Sequence, residues 1–294
     1  MISRKKSLIY SVLGAKATDK ICLSKTVCFS KNKELSKKIK SNVRFHNIHS
    51  GERCFILGNG PSLNDVDFSL LSNEYVFTVN YFSYVENYKS VNSNFHVWAD
   101  PSFFELREDQ KYNLADLEEN YRRISEVNPI CFMPDIAFDY VKRKKLDDIL
   151  DINYFAMMDS LDSAERRFFD LSKAISSYSC VVQFAISIAV YMGFSEIYLL
   201  GCDSTNIVSI LNCAMKIENV GMHAYKNDDV NERYNELLRN LSMTDILYDQ
   251  FYMFEGYKSL KNECDKRNVK LINCSSKTLI NEIPRADLSD VLNN

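Results

Sequence analysis

Four apolar runs of this chain each end in a side chain suited to holding hydroxyls, amides or phosphates. Asn59 follows Cys-Phe-Ile-Leu-Gly58, Asn80 follows Phe77-Thr-Val, Asp100 follows His96-Val-Trp-Ala, and Asp203 follows Leu200-Gly-Cys. An amide can donate and accept hydrogen bonds, and a carboxylate can accept from hydroxyls or ligate a metal. One Asn or Asp after an apolar run is ordinary turn or cap chemistry, and Asp100-Pro101-Ser102 reads as a cap. Four in phase point to a shared site for ribose hydroxyls and phosphates. The first lies within Gly58-Asn-Gly-Pro-Ser62, where the glycines permit a tight turn and close approach of backbone to a ligand. Pro61 presets that turn, and a loop entering a helix leaves N–H groups unpaired for an anion. A purely structural strand–helix turn fits the same glycines.

These residues need a frame. Candidate strands are 54–57, 75–79, 95–99, 130–133, 154–157, 197–200 and 269–273, separated by helical or mixed segments at about 82–90, 103–126, 136–150, 164–192 and 231–267. Such alternation predicts an α/β chain with a mainly parallel sheet and helices on both faces. The carboxyl ends of parallel strands share one edge, so the four polar residues should meet in one crevice. Ser179 to Met192 is apolar nearly all round and predicts a helix buried on the sheet, ended by Gly193. The stretch 204–230 carries no pattern, as in a functional lid or a disordered segment. One α/β domain over 51–294, preceded by a basic arm over 1–50, is the expected organisation.

Composition excludes several classes. With 294 residues, 46% of them hydrophobic, the chain can bury a large core, yet it has no apolar run of 18 residues to span a membrane. No signal peptide is evident, and nine cysteines are scattered without CxxC pairs, which together predict a cytoplasmic protein. No Cys/His group has the spacing of a zinc site. Residues 1–45 hold twelve Lys/Arg against Asp19 and Glu34, leaving the remainder acidic. Within that segment Ile2, Leu8, Ile9, Val12 and Leu13 can share one face of a short helix. A basic amphipathic segment suits peripheral contact with the anionic inner face of the inner membrane. A solvated tail, or an arm packed on a partner subunit in a homo-oligomer, fits it equally. The arm has no aromatic interleaving and the body is acidic, so no nucleic-acid partner is expected.

The pattern resembles the bacterial sialyltransferases of glycosyltransferase family 42 and related glycan-cluster proteins labelled 6-hydroxymethylpterin diphosphokinase-like. The resemblance runs from about Cys54 to Ile280. It rests on Gly58-Asn-Gly-Pro-Ser-Leu63, Val79-Asn-Tyr-Phe82, Pro101-Ser-Phe-Phe-Glu105, Gly193-Phe-Ser-Glu-Ile-Tyr-Leu-Leu-Gly-Cys-Asp203 and Asn273-Cys-Ser-Ser276. It implies a Rossmann-like, variant GT-A-like fold and assigns donor-nucleotide binding to Asn59 and Asn80. With the neighbouring motifs it gives a donor site of Gly58, Asn59, Gly60, Ser62, Asn80, Asp100, Ser177, Ser179, Asp203, Ser204, Thr205 and Ser275. Three departures leave the donor open. Asp100 stands where the family has a third asparagine. Ser204 and Thr205 follow Asp203 where a tyrosine pair is expected, the next tyrosine being Tyr225. Ile175-Ser-Ser-Tyr-Ser179 replaces an Arg-x-Thr-Ser-Gly run, although Ser177 and Ser179 can still offer hydroxyls at a helix N-terminus.

An inverting sugar transfer needs a base for the acceptor hydroxyl, and histidine titrates in the right range. His46 and His49 precede the first strand, and His96 reads as a packed strand residue. His223 stands where the resemblance places the catalytic histidine on a lid, with Asp228 and Asp229 as alternatives. The expected function is therefore transfer of a sugar, such as sialic acid from a CMP-activated donor, onto an oligosaccharide or lipid-linked glycan of bacterial surface polysaccharide (O-antigen, capsule or lipopolysaccharide). No divalent metal is expected, since the acidic pairs Asp147-Asp148 and Asp228-Asp229 do not form a DxD motif. Two alternatives are a diphosphokinase-like enzyme using ATP and magnesium, and a non-catalytic nucleotide-sugar-binding subunit.

Overall fold

The computed structural model describes residues 32–104, 114–158, 169–205, 207–208, 211–212, 224 and 242–293. Eight strands form one sheet: β1 Arg53–Leu57, β2 Tyr75–Val79, β3 Phe95–Val97, β4 Ile130–Pro134, β5 Asp151–Met158, β6 Ala174–Ser176, β7 Glu196–Leu200 and β8 Lys270–Asn273. Every pairing is parallel and the order is β6-β5-β4-β3-β2-β1-β7-β8. Side chains alternate between two cores, as period two requires. Phe55, Leu57, Tyr198 and Leu200 face one layer, while Cys54, Ile56, Ile197 and Leu199 face the other. Burial on both sides explains why these strands read as unbroken apolar runs.

Among the described residues four helices supply the first layer: α1 Lys33–Lys40, α2 Leu114–Val127, α3 Phe138–Lys144 and the short α6 Leu288–Leu292. The second layer is α4 Val181–Met192 and α5 Met243–Lys266. All of α4 except Val181 is buried, and Gly193 closes it at φ 94°, a left-handed conformation that glycine adopts without penalty. The α/β, Rossmann-like class thus holds. Among the described residues no helix is long and apolar enough to cross a membrane.

Some elements differ from the sequence reading. Segment 82–90 is not one helix but two short 3-10 turns, Phe82–Tyr84 and Tyr88–Val91, interrupted by Asn87 at φ 59°. Strand β6 sits inside the segment read as helical, because Ala-Ile-Ser is too short to show a period. The expected helix at Ser179 starts two residues later, with Cys180 as its N-cap. Residues 32–50, read from the sequence as part of the basic arm, pack on the core. Asn42 is fully buried and donates to the carbonyls of Tyr154 at 2.7 Å and Leu171 at 2.9 Å. His49 stacks on Phe194 with ring centroids 4.6 Å apart. Ile2, Leu8, Ile9, Val12 and Leu13 lie outside the described residues.

The ends of β1 and β7 approach each other closely. Gly58 N–H donates to the Leu200 carbonyl at 2.8 Å and Gly60 N–H to the Gly201 carbonyl at 2.7 Å. A Cβ on Gly58 would stand 2.4 Å from the Gly201 oxygen, and one on Gly60 would stand 2.7 Å from it. Backbone cannot step aside as a side-chain tip can, so Gly58→Ala is expected to lower stability by about 1–3 kcal/mol, the cost of overpacking. Urea unfolding of the variant checks this; a midpoint equal to wild type would contradict the geometry.

Candidate functional site at the carboxyl edge of the sheet

The order β3-β2-β1-β7 places Asp100, Asn80, Asn59 and Asp203 on successive strand ends, about 4.8 Å from one strand to the next. The chain runs outward from β1 through β6 and returns on the opposite side of β1 as β7. Their junction is therefore a topological switch point, the place where open α/β sheets take ligands. The four residues thus share one edge of the sheet.

Much of this edge is engaged within the protein. Asp203, 3% exposed, accepts Ser62 N–H at 2.8 Å and also the Ser62 hydroxyl. Burial raises its pKa above the usual carboxylate range, and the two bonds from Ser62 draw it part of the way back. Ser275 accepts Cys202 N–H at 2.8 Å, tying the end of β8 to β7. The N–H groups of Gly58, Gly60 and Ser62 are thus occupied, and the glycines make room for strand ends rather than for a phosphate. Gly58, Gly60, Ser62, Asp203 and Ser275 form a structural clasp. Asp100 caps the following 3-10 turn, its Oδ1 accepting Ser102 N–H at 2.9 Å.

Two amides are different. Asn59 Oδ1 and Asn80 Oδ1 are both shielded from solvent and accept no hydrogen bond from the described residues. At Asn59 the orientation is fixed, because Nδ2 donates to the Val79 carbonyl at 3.2 Å and a flipped amide would set two oxygens face to face. Asn80 adopts φ 48°, a left-handed conformation that asparagine tolerates better than most residues. A buried acceptor without a donor costs about 1–3 kcal/mol, so two on neighbouring strand ends call for a partner that brings hydrogens.

The same edge carries the start of α4, since β6 ends there and the helix begins five residues later. Ser177 follows β6 directly, with its N–H bound to the Met158 carbonyl at 2.9 Å, and Ser179 is exposed just before Cys180. Cys180 makes no side-chain cap bond and no acid stands in the first turn, so this N-terminus is open to an anion. Ser204 lies with its hydroxyl 3.9 Å from the Met253 sulfur, and the Thr205 carbonyl accepts Val208 N–H at 3.0 Å. Both sit close to β7 beside the clasp. His223, Tyr225, Asp228 and Asp229 lie outside the described residues. Ala224, which follows His223 in the chain, is buried and donates its N–H to the Asn59 carbonyl at 2.8 Å.

Sequence reasoning missed Asp135, which follows β4 on the same edge, its carboxyl pushed up to about 6 mainly by burial. The signal was available, because Asp135 follows an apolar run as Asp100 does. His96 is fully buried with Nδ1 2.7 Å from the Thr78 hydroxyl, and burial lowers its pKa to about 3. That packing agrees with its reading as a strand residue and leaves it neutral.

Two cavities lie at opposite ends of the strands. One of about 830 Å³ opens beside the clasp, lined by Ser62, Leu200, Ser275 and Arg285 with Asp65, Asp67 and Asp287. A larger one of about 1000 Å³ lies at the amino ends of the strands near Gly51, Ser195 and Val269. Position outweighs size here, since ligands of such sheets bind beyond the carboxyl ends.

No family model matches the chain, and no curated protein matches it. Among solved structures it is similar to the sialyltransferase CstII from Campylobacter jejuni, solved in complex with a substrate analogue, cytidine-5'-monophosphate. The two are 18% identical over 81% of this chain and 86% of that one, with a TM-score of 0.41.

The buried histidine gives a pH signature. An unfolded histidine binds a proton below about 6.5, while folded His96 resists protonation down to about 3. Its contribution to stability is therefore intact above pH 6.5 and falls as pH drops through that window, by up to about 1.4 kcal/mol per pH unit. Denaturant unfolding at pH 7 and pH 5 should show a shallower acid loss in His96→Gln than in wild type. Equal slopes would mean that His96 is not held neutral.

Proposed function

We propose that this chain is a nucleotide-sugar-dependent glycosyltransferase of the sialyltransferase-like kind, acting on a glycan acceptor in bacterial surface-polysaccharide assembly. The observation that carries the reading is the pair of buried, unpartnered amide oxygens of Asn59 and Asn80 on neighbouring strand ends. A nucleoside brings what they lack, namely ribose hydroxyl or base amino hydrogens. A phosphate alone offers mainly acceptors and does not satisfy them. In this reading the nucleoside lies across the ends of β1 and β2, and the donor phosphate points to the uncapped start of α4 with Ser177 and Ser179 beside it. A CMP-linked sugar such as sialic acid matches that layout.

Transfer then needs no metal. The acceptor hydroxyl attacks the anomeric carbon as its proton passes to His223. The bond from that carbon to the phosphate oxygen breaks, and the nucleotide leaves with the electron pair. Fixed N–H dipoles at the start of α4 stabilise the charge that develops on the leaving phosphate. The hydrogen bond from Ala224 to Asn59 supports His223, because it ties the residue next to the histidine to the nucleotide edge.

A thermal-shift screen of nucleotides tests the site. A ligand at one hundred times its Kd stabilises the folded state by about 2.7 kcal/mol, so a cytidine nucleotide should raise the Tm of wild type clearly. Asn59→Ala should abolish that shift while leaving the unliganded Tm within a few degrees. At the second position Asn80→Gly is the cleaner change, since glycine keeps the left-handed backbone and removes the amide. Full nucleotide shifts in both variants would place the ligand elsewhere.

Turnover tests the base. His223→Ala should reduce it by about two to four orders of magnitude with donor affinity nearly unchanged, because a general base acts chiefly in the transition state. Near-wild-type turnover would move the role to Asp228 or Asp229, to be checked with the asparagine variants. Nucleotide binding with no turnover on any glycan would favour a non-catalytic subunit.

A further inference from the structure

Beneath the Asn80 turn lies a buried polar cluster that the proposed reaction does not use. Asn120, on α2, is completely buried, although its helical neighbours Leu117, Tyr121 and Ile124 are core residues. Its Oδ1 accepts the indole N–H of Trp98 at 3.0 Å. Its Nδ2 donates to the Ser83 hydroxyl at 2.8 Å and to the Asn80 carbonyl at 3.3 Å. Leaving a buried amide unmatched is costly, and each partner here belongs to the turn after β2 or to the end of β3. From the opposite side Asn80 N–H donates to the Val97 carbonyl at 3.0 Å. Both peptide groups of Asn80 are therefore gripped, one by the sheet and one by a helix, around a residue at φ 48°. That conformation costs asparagine less than most residues, and its choice at this position is fixed by the surrounding bonds. The His96 and Trp98 rings, with centroids 4.0 Å apart, pack alongside.

We propose that Asn120 is a positioning residue: by holding the Asn80 peptide in its left-handed turn, it aims the Asn80 carboxamide at the ligand edge without touching the ligand. Only the identity of the ligand rests on the glycosyltransferase reading. The clamp is a property of the empty protein.

The test uses the full-length chain labelled with ¹⁵N-asparagine, with the Asn80 resonance assigned through Asn80→Gly. In Asn120→Asp an oxygen replaces the donor that faces the Asn80 carbonyl, and the Asn80 amide signal should shift or broaden while that of distant Asn293 stays in place. Trp98→Phe removes the N–H that anchors Asn120 and should produce a smaller change of the same kind, which keeps the test available if Asn120→Asp folds poorly. An unmoved Asn80 signal in the folded variants overturns the proposal, whether or not any nucleotide binds. Cytidine monophosphate affinity supplies the second readout. Asn120→Asp should weaken it at least tenfold in the wild-type background, and titration at high nucleotide concentration, where Asn80→Gly still binds weakly, should show no further loss in that background. Equal loss in both backgrounds would show that Asn120 acts by another route. Failure of wild type to bind the nucleotide would count against the functional reading, and the Asn80 signal would still decide the clamp.

Discussion

The architecture of the site depends on how closely the ends of β1 and β7 approach. With no side chain at Gly58, Gly60 or Gly201, the two strands keep exchanging backbone hydrogen bonds past their last sheet residues. A methyl group at either of the first two positions would meet the Gly201 carbonyl. Because these strands also flank the switch point, the same contact that closes the sheet sets the floor of the crevice. Asp203 and Ser62 lock it from above, and Ser275 extends the lock to β8.

That constraint sorts the polar groups of the edge by chemistry. Groups on the β7–β8 side spend their hydrogen bonds on one another, whereas the amides on β1 and β2 keep acceptor oxygens without partners. An edge with its donors consumed and its acceptors spare favours a ligand rich in hydroxyl and amino hydrogens over a bare phosphate. In the proposed reading the anion lies along the edge at α4, where a thiol stands at the cap position, so that nucleoside and phosphate have separate holds.

The strands were legible because each is buried on both faces and reads as an apolar run, and the parallel arrangement followed from the helical segments between them. The edge residues were legible for the same reason, since a polar residue directly after a buried strand has only one edge to occupy. The role of the glycines was not. Gly58 and Gly60 carry the same signature whether they admit a phosphate or a neighbouring strand, and only the position of Gly201 distinguishes the two. Strand β6 was hidden because three residues show no period. Asn120 was hidden because a single asparagine on an amphipathic helix looks like a surface residue until Trp98 and Asn80 are seen beside it. The segment 32–50 was read from its charge as part of the basic arm: its lysines lie along α1, while Asn42 and Phe45 in the turn that follows anchor it to the core.

The central claim is that a nucleoside completes the hydrogen bonding of Asn59 and Asn80 at the carboxyl ends of β1 and β2. A crystal structure of the protein with a non-hydrolysable CMP-sugar tests it most directly. The account predicts ribose hydroxyl or cytosine amino groups within about 3 Å of both Oδ1 atoms, with the phosphate at the start of α4. A nucleotide seated in the cavity at the amino ends of the strands, or with its phosphate on the Gly58–Ser62 turn, would contradict it.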